Sequence, residues 1–220
     1  MPCYTTLVIY IIAHSWVSIQ LCFSIKERYN TTMTNFLYLV TAFISFASVA
    51  LTAQSEKEAA AELRSLMSKE KTSFLNTITA TDGRPFSLVH YHVSTDRCEG
   101  MEKTGEPILI VVDKSPQSHS IRNNGPASFS INDNSIQYKM NGVRSTFYGS
   151  FEEQQPTDEL KKCFLSVHPD SQALIPGFNP KLPTRFYKLK ISGIFNVPGA
   201  ATNGYRGAVS PSLYAAAVPA

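Results

Sequence analysis

Four side chains with hydrogen-bonding chemistry crowd one short stretch of this 220-residue chain: Ser115, Ser118, His119 and Ser120. They lie within Ser115-Pro-Gln-Ser-His-Ser-Ile-Arg-Asn-Asn-Gly-Pro-Ala-Ser128, after an apolar run from Pro107 to Val112 and before a β-prone one, Phe129-Ser-Ile131. That order reads as strand, polar turn, short helix, Gly-Pro break and strand. A second concentration of chemistry is His90 and His92, at i and i+2 in a β-prone run, so that both rings leave one face of a strand. The pair reads as a metal or pocket-lining pair, or as two partly exposed histidines. With no third ligand in sight the latter is simpler. His119 reads equally as a cap or a ligand contact. His168, before Pro169, reads as a helix-end residue favoured by the negative end of the helix dipole.

Several reaction classes find no support. There is no Gly-x-Ser-x-Gly elbow, and no nucleophile has a recognisable partner. Asp82, Asp96 and Asp113 stand alone at turns or strand ends, without an acid/base pairing. No Cys-x-x-Cys or Cys/His spacing suggests zinc. The formal net charge of +3 carries no long basic run, which argues against nucleic-acid binding.

The elements that must position these residues are short. Hydrophobic content of 43% and charged content of 17% describe a globular chain. Thirteen Pro and eleven Gly suit short strands and many turns better than a helical bundle. Helical spacing from Glu56 to Ser68, with Ser55 as cap, predicts a helix. Strands are expected at Ser73–Ala80, Phe86–Val93, Ile108–Val112, Ala127–Ile131, Ser135–Met140, Arg144–Phe151 and Arg185–Phe195. Asp82-Gly83, Asn132-Asp-Asn134 and Asn141-Gly142 supply turns. A helix capped by Thr157 should run to Val167 and stop at His168-Pro169. The tail from Pro198 is Gly- and Ala-rich. The whole reads as mainly β with peripheral helices: a small closed barrel of six to seven antiparallel strands.

Residues 1–53 stand apart as an apolar N-terminal extension, leaving 54–220 for the barrel. Two apolar stretches, Leu7 to Phe23 and Phe36 to Leu51, flank Lys26, Glu27 and Arg28. The second is of signal-peptide length and ends in Ser48-Val-Ala50, so residues 33–50 read as a cleaved signal beginning at Met33. Starting there leaves no basic residue in the n-region, and the alternative is a membrane anchor through the two apolar segments. Cleavage would leave no stable membrane span and a secreted or endolysosomal product. After Ala50 only Cys98 and Cys163 remain, and they read equally as one disulfide or two free thiols. The one N-glycosylation sequon, Asn30-Thr-Thr32, precedes the expected cleavage point.

The order of elements resembles the flavin split barrel related to pyridoxamine-phosphate oxidase, over roughly residues 54 to 215. The likeness is sharpest at Ser115–Ser128, at Phe164-Leu-Ser-Val-His-Pro169, at Phe186-Tyr-Lys-Leu-Lys-Ile191 and at Gly199 to Gly207. Two branches share that ending, the secreted CREG glycoproteins and a bacterial haem-utilisation group, and the signal-like segment favours a CREG-like protein. The resemblance implies a split β-barrel of the FMN-binding type and a homodimer with sites at its interface, with a protein partner in the secretory or endolysosomal pathway.

It also implies a cofactor question. The oxidase branch holds flavin mononucleotide phosphate with an Arg and a Lys on the second strand, positions that fall here at Ser87 and His92. Losing two charge-assisted bonds would cost roughly 1.5–3 kcal/mol each, although Arg84 is near and His92 can carry partial charge. By this resemblance the FMN-contacting set is Ser87, Tyr91, His92, Ser115, Ser118, His119 and Ser120, with no catalytic or metal-ligating residue. The expectation is a dimeric, non-catalytic binding or regulatory module. The alternative is an FMN-dependent oxidoreductase, and a haem-handling protein is a third reading.

Overall fold

The computed structural model describes residues 53–219. The chain divides into two units, Met1–Ala50 and Leu51–Ala220, and the expected signal segment lies outside the described residues. Apolar side chains recurring at helical spacing form α1 (Glu56–Lys69), which begins with a reciprocal cap: the Ser55 hydroxyl accepts from the Glu58 amide, and the Glu58 carboxylate accepts from the Ser55 amide at 2.7 Å. Strands β1 (Thr72–Ile78), β2 (Pro85–Ser94) and β3 (Pro107–Val112) follow, then α2 (Pro116–Arg122), β4 (Ala127–Asn132) and β5 (Arg144–Gln154). The chain continues through α3 (Asp158–Val167), β6 (Thr184–Val197), β7 (Gly207–Val209) and α4 (Pro211–Ala216).

The sheet order is β3-β2-β1-β4-β5-β6-β7, and β3 also pairs with β6, so six antiparallel strands close into a barrel with β7 added on β6. Closure makes two cores. Leu75, Leu109, Val111, Phe129, Phe147 and Leu189 fill the barrel, with α1 contributing Leu63 and Met67. The other face of β3 carries Ile108 and Ile110, which pack with Phe186 against Phe164 and Val167 of α3. Burial on both faces explains why β3 is apolar without alternation. Cys98 and Cys163 form a disulfide across the second core, joining the β2–β3 loop to α3, with Cα atoms 5.3 Å apart.

Arg64 of α1 is nearly out of water and spends its fork on four partners. Nε and Nη2 donate to the two Asp96 carboxylate oxygens at 2.5 and 2.6 Å. Nη1 donates to the Tyr214 and Ala215 carbonyls, and Nη2 also reaches the Lys103 carbonyl. The Tyr214 hydroxyl donates to Gly105 O at 2.8 Å. Gly105 has φ +74, and a Cβ there would overlap the Arg64 side chain, so both backbone shape and space require glycine.

One expectation is corrected. Ser135–Met140 is not a strand; the segment turns and ends in a 3-10 turn, Lys139–Asn141. The Glu70 carboxylate accepts from the Asn134 amide and side chain, and Lys139 Nζ donates to Asn134 O, so side chains satisfy backbone that a ladder would have paired. The Gly- and Ala-rich tail, for which no element was expected from sequence, forms β7 and α4.

Replacing Arg64 by Ala leaves the Asp96 carboxylate buried without its cation. A loss of about 3–5 kcal/mol is expected, read as a lowered denaturation midpoint, with Arg64→Ala/Asp96→Ala recovering part of it.

Candidate functional site

β2 pairs with β1 along Thr72↔Tyr91 to Ile78↔Pro85, but with β3 only from His92↔Leu109 to Ser94↔Pro107. From Pro85 to Tyr91 its second edge therefore has no strand beside it among the described residues, and the barrel is split there. Leu88 lies opposite the fully buried Leu75 yet is 48% exposed, which marks the mouth of the split. α2 lies against this mouth. Ser115 caps it, accepting from the Ser118 amide at 3.1 Å. Its Gln117 is fully buried and donates to Leu75 O at 2.7 Å.

The period of two separates the β2 side chains into two sets. Ser87, Val89 and Tyr91 lie outside; His90 and His92 lie inside, as their spacing suggests. Their rings then part. His90 lies between Ile110 O, 3.1 Å from Nδ1, and Gln117 Oε1, 2.8 Å from Nε2. His92 meets Phe129 edge-on at 5.1 Å in the barrel core. Burial pushes its imidazole down to about 3, so the partial charge expected there is absent near neutral pH.

The seven residues expected to hold flavin do not gather. The Ser87 hydroxyl donates to Asn76 Oδ1 at 2.7 Å on the outer face. The Tyr91 hydroxyl donates to Asp170 at 2.5 Å, and its ring stacks on His168 at 4.5 Å. His92 is on the opposite side of β2. Ser118 is buried against Tyr187, and the Ser120 hydroxyl is buried without a hydrogen-bond partner. His119 is exposed and bonded to Asn123 at 3.2 Å, while Ser115 serves its helix. Arg84 pairs with Asp82 at 3.3 Å. A phosphate needs converging cations and N–H groups, and these residues offer no such convergence, so they do not fit a flavin phosphate.

The outer face presents something else. Val89, Phe74, Ser130, Thr146 and Phe195 form one cross-strand row; Ser87, Asn76, Ser128 and Tyr148 form the next. Asn76 Nδ2 donates to Ser130 at 2.9 Å, and the Ser130 and Thr146 hydroxyls lie 3.1 Å apart. Phe74, Val89, Tyr148 and Phe195 stand around this ladder at 39, 58, 47 and 45% exposure. Asn76 and Gln117 were not singled out from sequence; the alternation Phe74-Leu-Asn-Thr-Ile78 held a signal for the former.

Beyond Tyr91, His168 is buried between Tyr91 and Phe164, and its Nε2 donates to the His92 carbonyl at 2.8 Å. It ends α3 as expected, but burial lowers its proton affinity, so it is not the charged dipole partner that its position suggested.

A family model described as CREG, beta-barrel matches residues 54–216. No curated protein matches the chain. A heme binding protein from Mycobacterium smegmatis superposes with a TM-score of 0.59 at 21% identity, over 73% of this chain and 61% of that one. Protein Atu2129 of unknown function, from Agrobacterium tumefaciens str. C58, gives 0.56 at 14% identity, over 71% and 60%. The chain spans about three fifths of the length of both. At these identities the likeness shows the fold.

Two buried neutral histidines set the sign of the pH response. His92 has a lower proton affinity folded than unfolded, so its stabilising contribution is present above its unfolded value, about 6.5, and is lost as pH falls. Between pH ~7 and pH ~5 the loss from His92 alone is about 2 kcal/mol, with His168 acting in the same direction. Denaturant titrations across that range should show it, and His92→Leu should flatten the slope.

Proposed function

Because the chain belongs to the CREG β-barrel family, a CREG-like branch of the split-barrel superfamily related to pyridoxamine-phosphate oxidase, we propose that it is a dimeric, non-catalytic binding module of the secretory or endolysosomal route. The outer face carries this reading. Its exposed aromatic and aliphatic side chains surround a part-buried hydroxyl and amide ladder, the composition of a surface that another protein covers. A second copy is the occupant that completes it. The Cys98–Cys163 disulfide supports an oxidising compartment. Among the described residues no helix is long and apolar enough to cross a membrane.

An FMN-dependent oxidoreductase is the second reading. The free edge of β2 favours it, because peptide groups there face the split and can meet the polar rim of a planar ring. The dispersed phosphate contacts weigh against it. For haem, His90 and His168 are held by hydrogen bonds and His92 is fully buried, which leaves among the described histidines the exposed His119, bonded through Nε2 to Asn123.

Sedimentation at micromolar concentration should give twice the chain mass. Val89→Asp should give the single mass without lowering the melting temperature appreciably; a monomeric wild type would overturn the dimer. An absorbance scan and a melt with added flavin mononucleotide separate the two readings. A colourless protein with an unmoved melt is expected, and a saturable rise would move the assignment to an oxidoreductase.

A further inference from the structure

His90 is placed unlike the other described histidines, because each of its ring nitrogens faces a carbonyl oxygen. Nδ1 is 3.1 Å from Ile110 O, and Nε2 is 2.8 Å from Gln117 Oε1. Rotating the Gln117 amide does not relieve this, since its Nε2 is already given to Leu75 O at 2.7 Å and reversal would set two oxygens together. A neutral imidazole donates one hydrogen bond, whereas the imidazolium donates two. We infer that His90 is an acid-closed latch: protonation completes both bonds and ties α2 to β2 and β3 at the mouth of the split, and loss of the proton frees one of them.

The position gives the latch its leverage. Ile110 is the next residue along β3 from Leu109, where pairing with β2 ends, so the ring stands where the ladder stops. Gln117 extends the tie to β1. With the proton gone, one of two acceptors on buried residues, Ile110 O or Gln117 Oε1, loses its partner.

The surrounding charges leave the ring to these carbonyls. β1 and β3 contain no titratable side chain within Thr72–Ile78 and Pro107–Val112. On β2, the Tyr91 hydroxyl is turned to Asp170, and His92 is buried in the core. On α2, His119 bonds to Asn123, and Arg122 to Asp113 O. Behind β3, Arg185 is held by Asp113 and Glu153, Lys188 pairs with Glu106, and Tyr187 is buried against Ser118. The latch stands on this geometry alone, independently of the binding-module reading above; its consequence is that acid narrows access to the free edge of β2.

Hydrogen exchange of the full chain, read by mass spectrometry at pH ~5 and ~8 and corrected for intrinsic rates, tests it. Protection of the α2 amides should be about tenfold greater at the lower pH, opposite in sign to the acid weakening from His92 and His168. His90→Gln and Gln117→Met should each abolish that gain. Equal or smaller α2 protection at low pH in the wild type overturns the latch, as does a gain that survives either substitution. The wild-type profile decides alone if the variants do not fold. A dimer without the acid gain overturns the latch and leaves the binding module, while a monomer that shows the gain does the reverse.

Discussion

A buried, two-pronged ion pair between Arg64 and Asp96 is the constraint on which the rest of this barrel depends. Their side chains are 2% and 7% exposed, so each charge has exchanged water for the other. Such a pair is stabilising only when the remaining donors are also used. Here they are, through the carbonyls of Lys103, Tyr214 and Ala215. The same guanidinium thus joins α1, the loop that carries Cys98, and the helix near the chain's end. α1 supplies Leu63 and Met67 to the barrel core, so its seat fixes the packing inside. The loop bears half of the disulfide that seats α3, and hence the outer core behind β3.

That anchoring divides labour between the two sides of β2. Inside, His92 is one of the closely packed groups of the core and resists a proton. At the split, the His90 ring stands between two carbonyl oxygens, so a single strand carries imidazoles in opposite surroundings, spaced two residues apart. Outside, Ser87 and Val89 belong to a face whose polar groups are already bonded to one another, which suits a broad contact better than the grip on one small anion.

Much of the fold was legible because burial imposes period. Strand-prone runs set between turn signals marked β1, β2, β4 and β5, an apolar run marked β3, and alternation of apolar and basic residues marked β6; helical spacing with Ser55 as cap bounded α1, and Thr157 with His168-Pro169 bounded α3. α4 was not legible, since a six-residue, Ala-rich segment has little propensity of its own and is held through Arg64 and Gly105, far away in sequence. Ser135–Met140 misled for the reverse reason: its residues suit a strand, but Glu70 of the α1–β1 junction claims the backbone. The flavin residues were chosen by resemblance, and the strand's own period already argued against two of them. Ser87 and His92 are five residues apart, an odd spacing, and so leave opposite faces. What no local pattern carried was Gln117, whose role appears only once β1, β2 and α2 have been brought together.

The long β6 has a consequence for how the chain is made. It is the strand shared by β5, β3 and β7, so the ring of strands has no last member until synthesis has passed Val197. The carbonyls that complete the Arg64 cluster belong to Tyr214 and Ala215, later still. Until β6 has been made, β3 and β5 are therefore open edges, and until Tyr214 and Ala215 follow, α1 lacks the carbonyls that hold Arg64. Because ordering depends on such distant pairings, it waits for these residues to be made, and the nascent chain exposes those edges in the meantime.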